Sequence, residues 1–386
     1  MDNSSVGEKK EWLGASVFRP ANVIPQIFNV LVRRRLEFDF ERVPYVAENI
    51  SFKKLVNLFL HGLNQYLKPT RPIGVPVIAQ VEPVNTCDLS CPLCLTTSVT
   101  GSRTRTVMDF ETFKRFIDEV GDYLLLIILW GWGEPFLNRD IYKMIEYAKE
   151  KNILIHCSTH ASLKKFDDEK AERLVASGLD TLIVAVDGAT QESYEKYRVG
   201  GDLELVQKNI RTIVRAKKER GAATPRLVFR FVVMSHNEHE LPLMRKMAEE
   251  LEVDFMSLRA LFTSPVLERD LSQPFIPEGL KYHPAPPKPS GEACGKDGFK
   301  CMRPWKRFTL MAGGEVVSCE FDHKVAHSFG RLNDEKSALG LWRGQAAKAF
   351  RGAFNMGWND FYHCQNCSYK DMNVEQCAVT LSALGE

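Results

Sequence analysis

The 386-residue chain has no long apolar run; the longest uninterrupted one, Leu124 to Trp130, is far too short for a helix that crosses a bilayer. Its opening residues, MDNSSVGEKKEW, lack the apolar core of a secretory signal, so the expected location is the cytoplasm. Charge imbalance is missing too: a formal net charge of +2 gives no electrostatic ground for a nucleic-acid partner, and none is expected. No repeat of solenoid period and no long low-complexity tract is visible. Cysteine, by contrast, is plentiful. Ten of them in a reducing compartment argue against a disulfide framework and for metal ligands or catalytic groups where they cluster. A hydrophobic content of 44% allows a large core without covalent staples.

From about Val77 to Leu261, short β-branched apolar runs alternate with amphipathic stretches, the pattern of βα units around a parallel sheet. Six strands are predicted, at Val77–Val81, Leu124–Trp130, Ile153–Cys157, Thr181–Val186, Leu227–Val233 and Phe255–Leu261. Helices are predicted at Phe110–Val120, Ile141–Lys151, Glu169–Ala176, Leu203–Lys218 and Leu241–Glu250. Six prolines between Leu271 and Gly291 then read as a linker. Beyond it, Phe308–Met311 and Glu315–Ser318 flank a turn at Ala312-Gly313-Gly314, and a helical stretch covers Leu339–Phe350. The expected division is residues 1–75 as an N-terminal helical segment, 76–280 as an α/β core, and 281–386 as a small Cys-rich domain.

The first cysteine cluster, Cys87-x3-Cys91-x2-Cys94, follows the first predicted strand, at the carboxyl end of which such folds place their chemistry. Thiolates suit iron-sulfur clusters or zinc. Three ligands without a nearby fourth Cys or His leave one metal position open, as a catalytic site requires. After the second strand comes Gly131-Trp132-Gly133-Glu134-Pro135; after the third, Ser158-Thr159-His160-Ala161; at the fourth, Ala185-Val186-Asp187-Gly188.

Over roughly residues 76 to 262 these motifs resemble the radical S-adenosylmethionine superfamily, whose signature is this three-cysteine spacing after strand one of a partial (β/α)6 barrel. The resemblance implies a 4Fe-4S cluster on Cys87, Cys91 and Cys94 whose open iron chelates S-adenosylmethionine, and reductive cleavage of that cofactor to a 5'-deoxyadenosyl radical that abstracts hydrogen. It further implies that Glu134, in a loop like the family's Gly-Gly-Glu-Pro, accepts the cofactor ammonium. Ser158, Asp187 and Arg198 fall where relatives contact the cofactor, and Leu93 stands where many carry an aromatic residue against the adenine. The chain departs from the pattern at His160 for Asn, Ala161 for Gly and Ala185 for Ser. Asp187 is also a candidate cap for the next helix, and Arg198 a candidate structural cation. Cys157, inside a strand, reads as a buried apolar residue.

A second set, Cys301-x17-Cys319 around the predicted hairpin and Cys364-x2-Cys367, makes a complete four-ligand metal site. It resembles the auxiliary-cluster domain called SPASM, and more closely its shortened form, twitch, which implies one auxiliary 4Fe-4S cluster; a structural zinc ribbon is the rival. Cys294 and Cys377 are left unassigned. In the N-terminal segment, eleven Lys and Arg stand against seven Asp and Glu in residues 1 to 76. Apolar positions at helical spacing (Ile24, Ile27, Phe28, Leu31; Phe52, Leu55, Val56, Phe59, Leu63) predict two helices packed on the barrel, with peripheral membrane or carrier contact as the other reading. No strand-rich leader-binding pattern is evident there.

The function expected first is oxidation of a small molecule or headgroup with help from the auxiliary cluster. The others are a maturase acting on a ribosomally made peptide, and a non-catalytic iron-sulfur or zinc scaffold. An external one-electron donor such as flavodoxin or ferredoxin is implied. No residue is assigned as catalytic acid or base.

Overall fold

Residues 28–98, 103–261, 269–277, 301–365, 367 and 379–384 are described by the structure, a computed structural model. Its contacts gather into two units, Met1–Ile50 and Ser51–Glu386. In the first, Leu36–Phe40 (β1) pairs antiparallel with Val43–Ala47 (β2), Phe38 stacking on Tyr45 at 5.7 Å. This ribbon was not anticipated: its strands are five residues each, with Glu37 and Asp39 interrupting the first and Pro44 the second. Of the first expected helix only one turn, at 28–31, lies within the described residues.

The second unit opens with α1 (Phe52–Leu67), capped by Ser51, whose hydroxyl accepts the Lys54 amide at 3.1 Å. The helix is where the sequence puts it, but it presents the opposite face. Lys54, Asn57, His61 and Asn64 are buried, while Phe52 and Phe59 are 71% and 69% exposed. Hydrogen bonding decides this. Asn57 exchanges two bonds with the Val75 backbone (2.9 and 2.8 Å), and Asn64 serves Gly74 O and Ile73 N, so side chains satisfy a segment that pairs with no strand among the described residues. Lys54 Nζ donates to the carbonyls of Lys151 and Asn152 at 3.0 and 2.9 Å.

The α/β alternation then follows. In chain order it runs β3 (Ile78–Val81), α2 (Phe110–Val120), β4 (Leu126–Ile128), α3 (Ile141–Glu150), β5 (Leu154–Thr159), α4 (Asp168–Ala176) and β6 (Thr181–Ala185). It continues with α5 (Gln191–Tyr197), α6 (Leu203–Glu219), β7 (Arg226–Val233), α7 (Leu241–Glu250) and β8 (Phe255–Ala260). Asp109, Asp167 and Asp202 cap α2, α4 and α6 through their side chains, each accepting an amide three residues on. Thr190 and Ser193 form a capping box on α5, so Asp187 is free for another role.

Strands β3 to β8 are parallel and adjacent in sequence order. Alternate residues such as Ala79, Ile127, Ile155, Leu182 and Phe229 join the helices' Phe113, Phe116, Ile145, Leu174 and Ile210 in one core. Each such fully buried Leu, Ile or Phe side chain contributes about 1.5–3 kcal/mol. The intervening positions, Gln80, His156, Ser158 and Arg230 among them, fall on the opposite face by the two-residue period.

Next come β9 (Arg307–Leu310), β10 (Glu315–Val317), β11 (Gly330–Arg331), α8 (Ala338–Arg343), α9 (Gln345–Met356) and β12 (Val379–Ala383). The expected single helix over 339–350 is two, broken where Gly344 is extended (ψ 175°). Gly314 turns the β9–β10 hairpin at φ +84°, a conformation glycine adopts without strain. Strand β9 lies parallel to β3, and β12 antiparallel to β8, giving one open ten-stranded sheet in the order β11-β10-β9-β3-β4-β5-β6-β7-β8-β12. The sheet stays open, a partial barrel. Backbone pairing and the α1 side chains tie α1 and the Cys-rich region to the core within the second unit. Among the described residues no helix is long and apolar enough to cross a membrane.

Candidate metal centres

Three thiols gather just beyond the carboxyl end of β3. Cys91 is buried, Cys87 and Cys94 are half-buried, and the Cys94 amide bonds back to Cys91 O at 3.1 Å in a tight turn. The Leu89 amide points at Cys87 Sγ at 3.4 Å, and the segment is pinned by Ser90 N to Val199 O at 2.9 Å. Burial pushes the Cys91 thiol up to about 11, the Arg198 guanidinium opposing; Cys94 is raised likewise, chiefly by burial. A metal ion overrides such shifts by binding the thiolate outright. The donor set, three soft thiols close enough to oppose one another's ionisation, fits a cluster with one open iron.

Around the triplet stand the residues flagged from sequence. Glu134 caps the short 3-10 turn Pro135–Leu137 and is 2% exposed. Its Oε1 accepts Thr159 Oγ1 at 2.9 Å and Phe136 N at 3.2 Å, and its Oε2 accepts His160 N at 3.0 Å. The loop reaches this position because Gly133 presses on backbone: a Cβ there would meet Val84 O at 2.3 Å. His160 Nε2 lies 2.9 Å from Asp88 Oδ1, and His160, Asp88 and Cys87 place ligand atoms within 4.8 Å of one another. Burial disfavours a charged ring and the Glu134 and Asp88 carboxylates favour it. The Ser162 amide, donating to Nδ1 at 3.0 Å, requires that nitrogen bare, which leaves the proton on Nε2. The trio is therefore a hydrogen-bonded cluster, with Nε2 engaged as a donor. Ala161 sits at φ +55°, which is why glycine suits this place.

Asp187 and Arg198, which sequence reasoning treated separately, are partners. Arg198 Nε donates to Asp187 Oδ2 at 2.6 Å, Val232 N donates to Oδ1 at 2.7 Å, and Arg198 Nη1 lies 3.8 Å from Cys91 Sγ. The carboxylate is fully buried, so its visible work is to hold the guanidinium beside the thiols. Ser158 is half-buried on β5. Leu93 packs in a small apolar cluster with Met234 and Leu261. Cys157 is buried on the helix-facing side and points its thiol at Leu129 O, as expected of a packing residue.

The second set converges fully. Cys301, Cys319, Cys364 and Cys367 line one cavity with His363, Phe321, Phe350 and Phe354. Burial pushes the Cys301, Cys319 and Cys364 thiols up. His363 is 2% exposed and neither ring nitrogen has a hydrogen-bond partner among the described residues; Ser318 Oγ, on the same cavity, has none among them either. Four thiols and orphaned polar atoms facing one enclosed space fit a bound inorganic cluster. Arg303 Nη1 lies 3.4 Å from Cys319 Sγ and pairs with Glu320, which also receives Arg307 at 3.4 Å. Burial opposes ionisation of Glu320, yet the two guanidiniums hold its carboxyl down at about 2. Cys294 and Cys377 lie outside the described residues.

One hub escaped sequence reasoning. Glu82, 2% exposed at the end of β3, accepts two bonds from Arg103 (3.0 and 2.7 Å), one from Trp132 N (3.1 Å) and one from Ala312 N (3.0 Å). Its only sequence signal is a carboxylate closing an apolar strand.

Comparisons agree with this geometry. A family model described as the Radical SAM superfamily matches residues 81–248, and one described as SPASM, an iron-sulfur cluster-binding domain, matches residues 301–368. The chain is 22% identical over 340 residues to a PqqA peptide cyclase of Bradyrhizobium diazoefficiens, covering 81% of this chain and 83% of that one. It is 25% identical over 163 residues to the mycofactocin maturase MftC of Mycobacterium ulcerans, 42% of this chain and 40% of that one. Among solved structures, Streptococcus suis SuiB bound to the precursor peptide SuiA shares the fold at a TM-score of 0.54 and 17% identity, covering 82% of this chain and 74% of that one.

Proposed function

Because this chain belongs to the radical S-adenosylmethionine superfamily and carries a SPASM domain, we propose that it is an enzyme that modifies a ribosomally made peptide through hydrogen-atom abstraction. The observation that carries the enzymatic part is the pairing, in one unit, of an open thiol triplet with a closed thiol quartet. The peptide part is supported by relatives named as a peptide cyclase and a maturase, the first aligned over most of both chains. The β1–β2 ribbon also meets the objection that the N-terminal segment lacks strands, since an antiparallel ribbon can accept an extended peptide along an edge.

In this reading Cys87, Cys91 and Cys94 hold the 4Fe-4S cluster, and Cys301, Cys319, Cys364 and Cys367 hold one auxiliary cluster. When bound, the first cluster and S-adenosylmethionine supply one-electron cleavage of the sulfonium carbon-sulfur bond and with it the power to abstract hydrogen. The residues of the chain then have defined tasks. Glu134 accepts the ammonium of the cofactor, with Thr159 and the His160 amide fixing its carboxylate. Arg198, steadied by Asp187, sets a positive charge beside Cys91. Leu93 and Ser158 serve as further cofactor contacts, and an external one-electron donor completes the reaction.

The test separates the two centres. Changing Cys87, Cys91 and Cys94 together to Ala is expected to abolish 5'-deoxyadenosine release while leaving about four iron atoms per chain, one cluster's worth. Complete loss of iron would contradict the division of ligands. For the peptide, mass spectrometry of a short precursor encoded beside the gene should show a changed mass; an unchanged peptide with sustained 5'-deoxyadenosine release would sink that part.

A further inference from the structure

Trp132 occupies a place where the resembling motif, Gly-Gly-Glu-Pro, has glycine, so the chain puts an indole where the family pattern has no side chain. The structure shows where that indole goes. Trp132 Nε1 donates to Glu320 O at 2.8 Å, on the residue directly after Cys319 of the auxiliary set. Its ring lies 5.9 Å from Phe321, over which Arg303 stacks at 5.1 Å, and Arg303 in turn approaches Cys319 Sγ. On the other side, Trp132 O accepts Thr96 Oγ1 at 2.5 Å, two residues after Cys94. The Trp132 amide is fixed by Glu82 at 3.1 Å. One residue is thus hydrogen-bonded to the loop carrying the first thiol set and to the loop carrying the second.

We propose that Trp132 is a positioning residue that couples the two metal centres, so that filling the cofactor site is felt at the auxiliary centre. The inference rests on the superfamily reading above and goes beyond it, since nothing in the motif requires contact between the centres. The physical reason is rigidity. A ring with two torsions, bonded at its far end to a backbone carbonyl and at its own carbonyl to Thr96, transmits a shift of the 131–135 loop to the Cys319 loop. Glu134, two residues on in that loop, is the group assigned to the cofactor ammonium. The loop is therefore the one expected to respond when the cofactor binds.

The experiment uses the full chain with both clusters rebuilt anaerobically, titrated potentiometrically with detection by electron paramagnetic resonance, with and without S-adenosylmethionine. In the native protein the cofactor should alter the signal of the first centre and shift the midpoint potential of the auxiliary centre. Trp132→Phe keeps a ring against Phe321 but loses the donor to Glu320. It should keep the response of the first centre and lose the shift at the auxiliary one. Thr96→Val cuts the link at its other end, at a hydroxyl that also meets Cys94; where its first centre still answers the cofactor it should give the same loss, which preserves the test if Trp132→Phe loads iron poorly. A shift of native size in both variants, or a native auxiliary centre that ignores the cofactor while the first centre responds, overturns the coupling. If neither native centre responds, the superfamily reading falls and the inference with it.

Discussion

Replacing Glu82 by Gln tests whether the hub at the end of β3 is an energetic feature or only a geometric one. The carboxylate accepts four bonds, two on each oxygen, and Arg103, 14% exposed at its side chain, has it as a counter-charge. A glutamine of the same shape can keep only one oxygen. Its amide group must face either Arg103 Nη2 and Ala312 N or Arg103 Nη1 and Trp132 N, donor against donor in both orientations. Breaking one side of a buried pair costs about 3–5 kcal/mol, and leaving buried donors unmet costs about 1–3 kcal/mol each. These overlap, and we expect about 4 kcal/mol in total. Unfolding entropy is about 2 cal/mol/K per residue. Over the unit Ser51–Glu386, roughly 330 residues, that loss lowers the thermal midpoint by about 6 °C. The assay is thermal unfolding of the metal-free protein followed by circular dichroism, so that cluster loss does not enter. Arg103→Met should cost less, because Glu82 keeps its amides from Trp132 and Ala312, and adding it to Glu82→Gln should cost little more. A midpoint drop below about 1 °C, or full additivity in the double variant, would refute the reasoning.

Burial pushes the Lys54 ammonium down to about 8 from an ordinary 10.5, Asp122 opposing. Between those values the unfolded chain holds more protons, so stability rises with pH across the window, by up to about 3 kcal/mol from this group. Urea unfolding at pH 7.5, 9 and 10 should show that rise in the native chain relative to Lys54→Met; parallel curves would contradict it. Gly133→Ala forces a methyl against Val84 O and Thr86 O, an overlap costing about 1–3 kcal/mol that displaces Glu134. The altered loop should lose the spectroscopic response of the first cluster to S-adenosylmethionine while auxiliary iron is retained, and a native response would show that the loop tolerates the shift.

The residues near each cysteine set were legible early because ligand spacing is local. Cys87, Cys91 and Cys94 fall in one turn after a strand, and Cys301, Cys319, Cys364 and Cys367 meet because hairpin and tail each deliver a pair. The six parallel strands and their helices were legible for the same reason: period-two and period-3.6 patterns are set by neighbours along the chain. Partnerships across the fold were not. Nothing in the order of residues says that Asp187 spends its carboxylate on Arg198, that Glu82 gathers three loops, or that Trp132 spans from Thr96 to Glu320.

Helix α1 shows the division most clearly. Its pattern correctly predicts a helix over 52–67, and the apolar stripe argues that Phe52, Val56 and Phe59 face inward; they face outward. The inward side belongs to Asn57, Asn64 and Lys54, because backbone groups at 73–75 and at the end of α3 need hydrogen-bond partners there. Local periodicity determined that the element exists. Only the tertiary structure, by deciding which polar groups would otherwise be stranded, determined which way it turns.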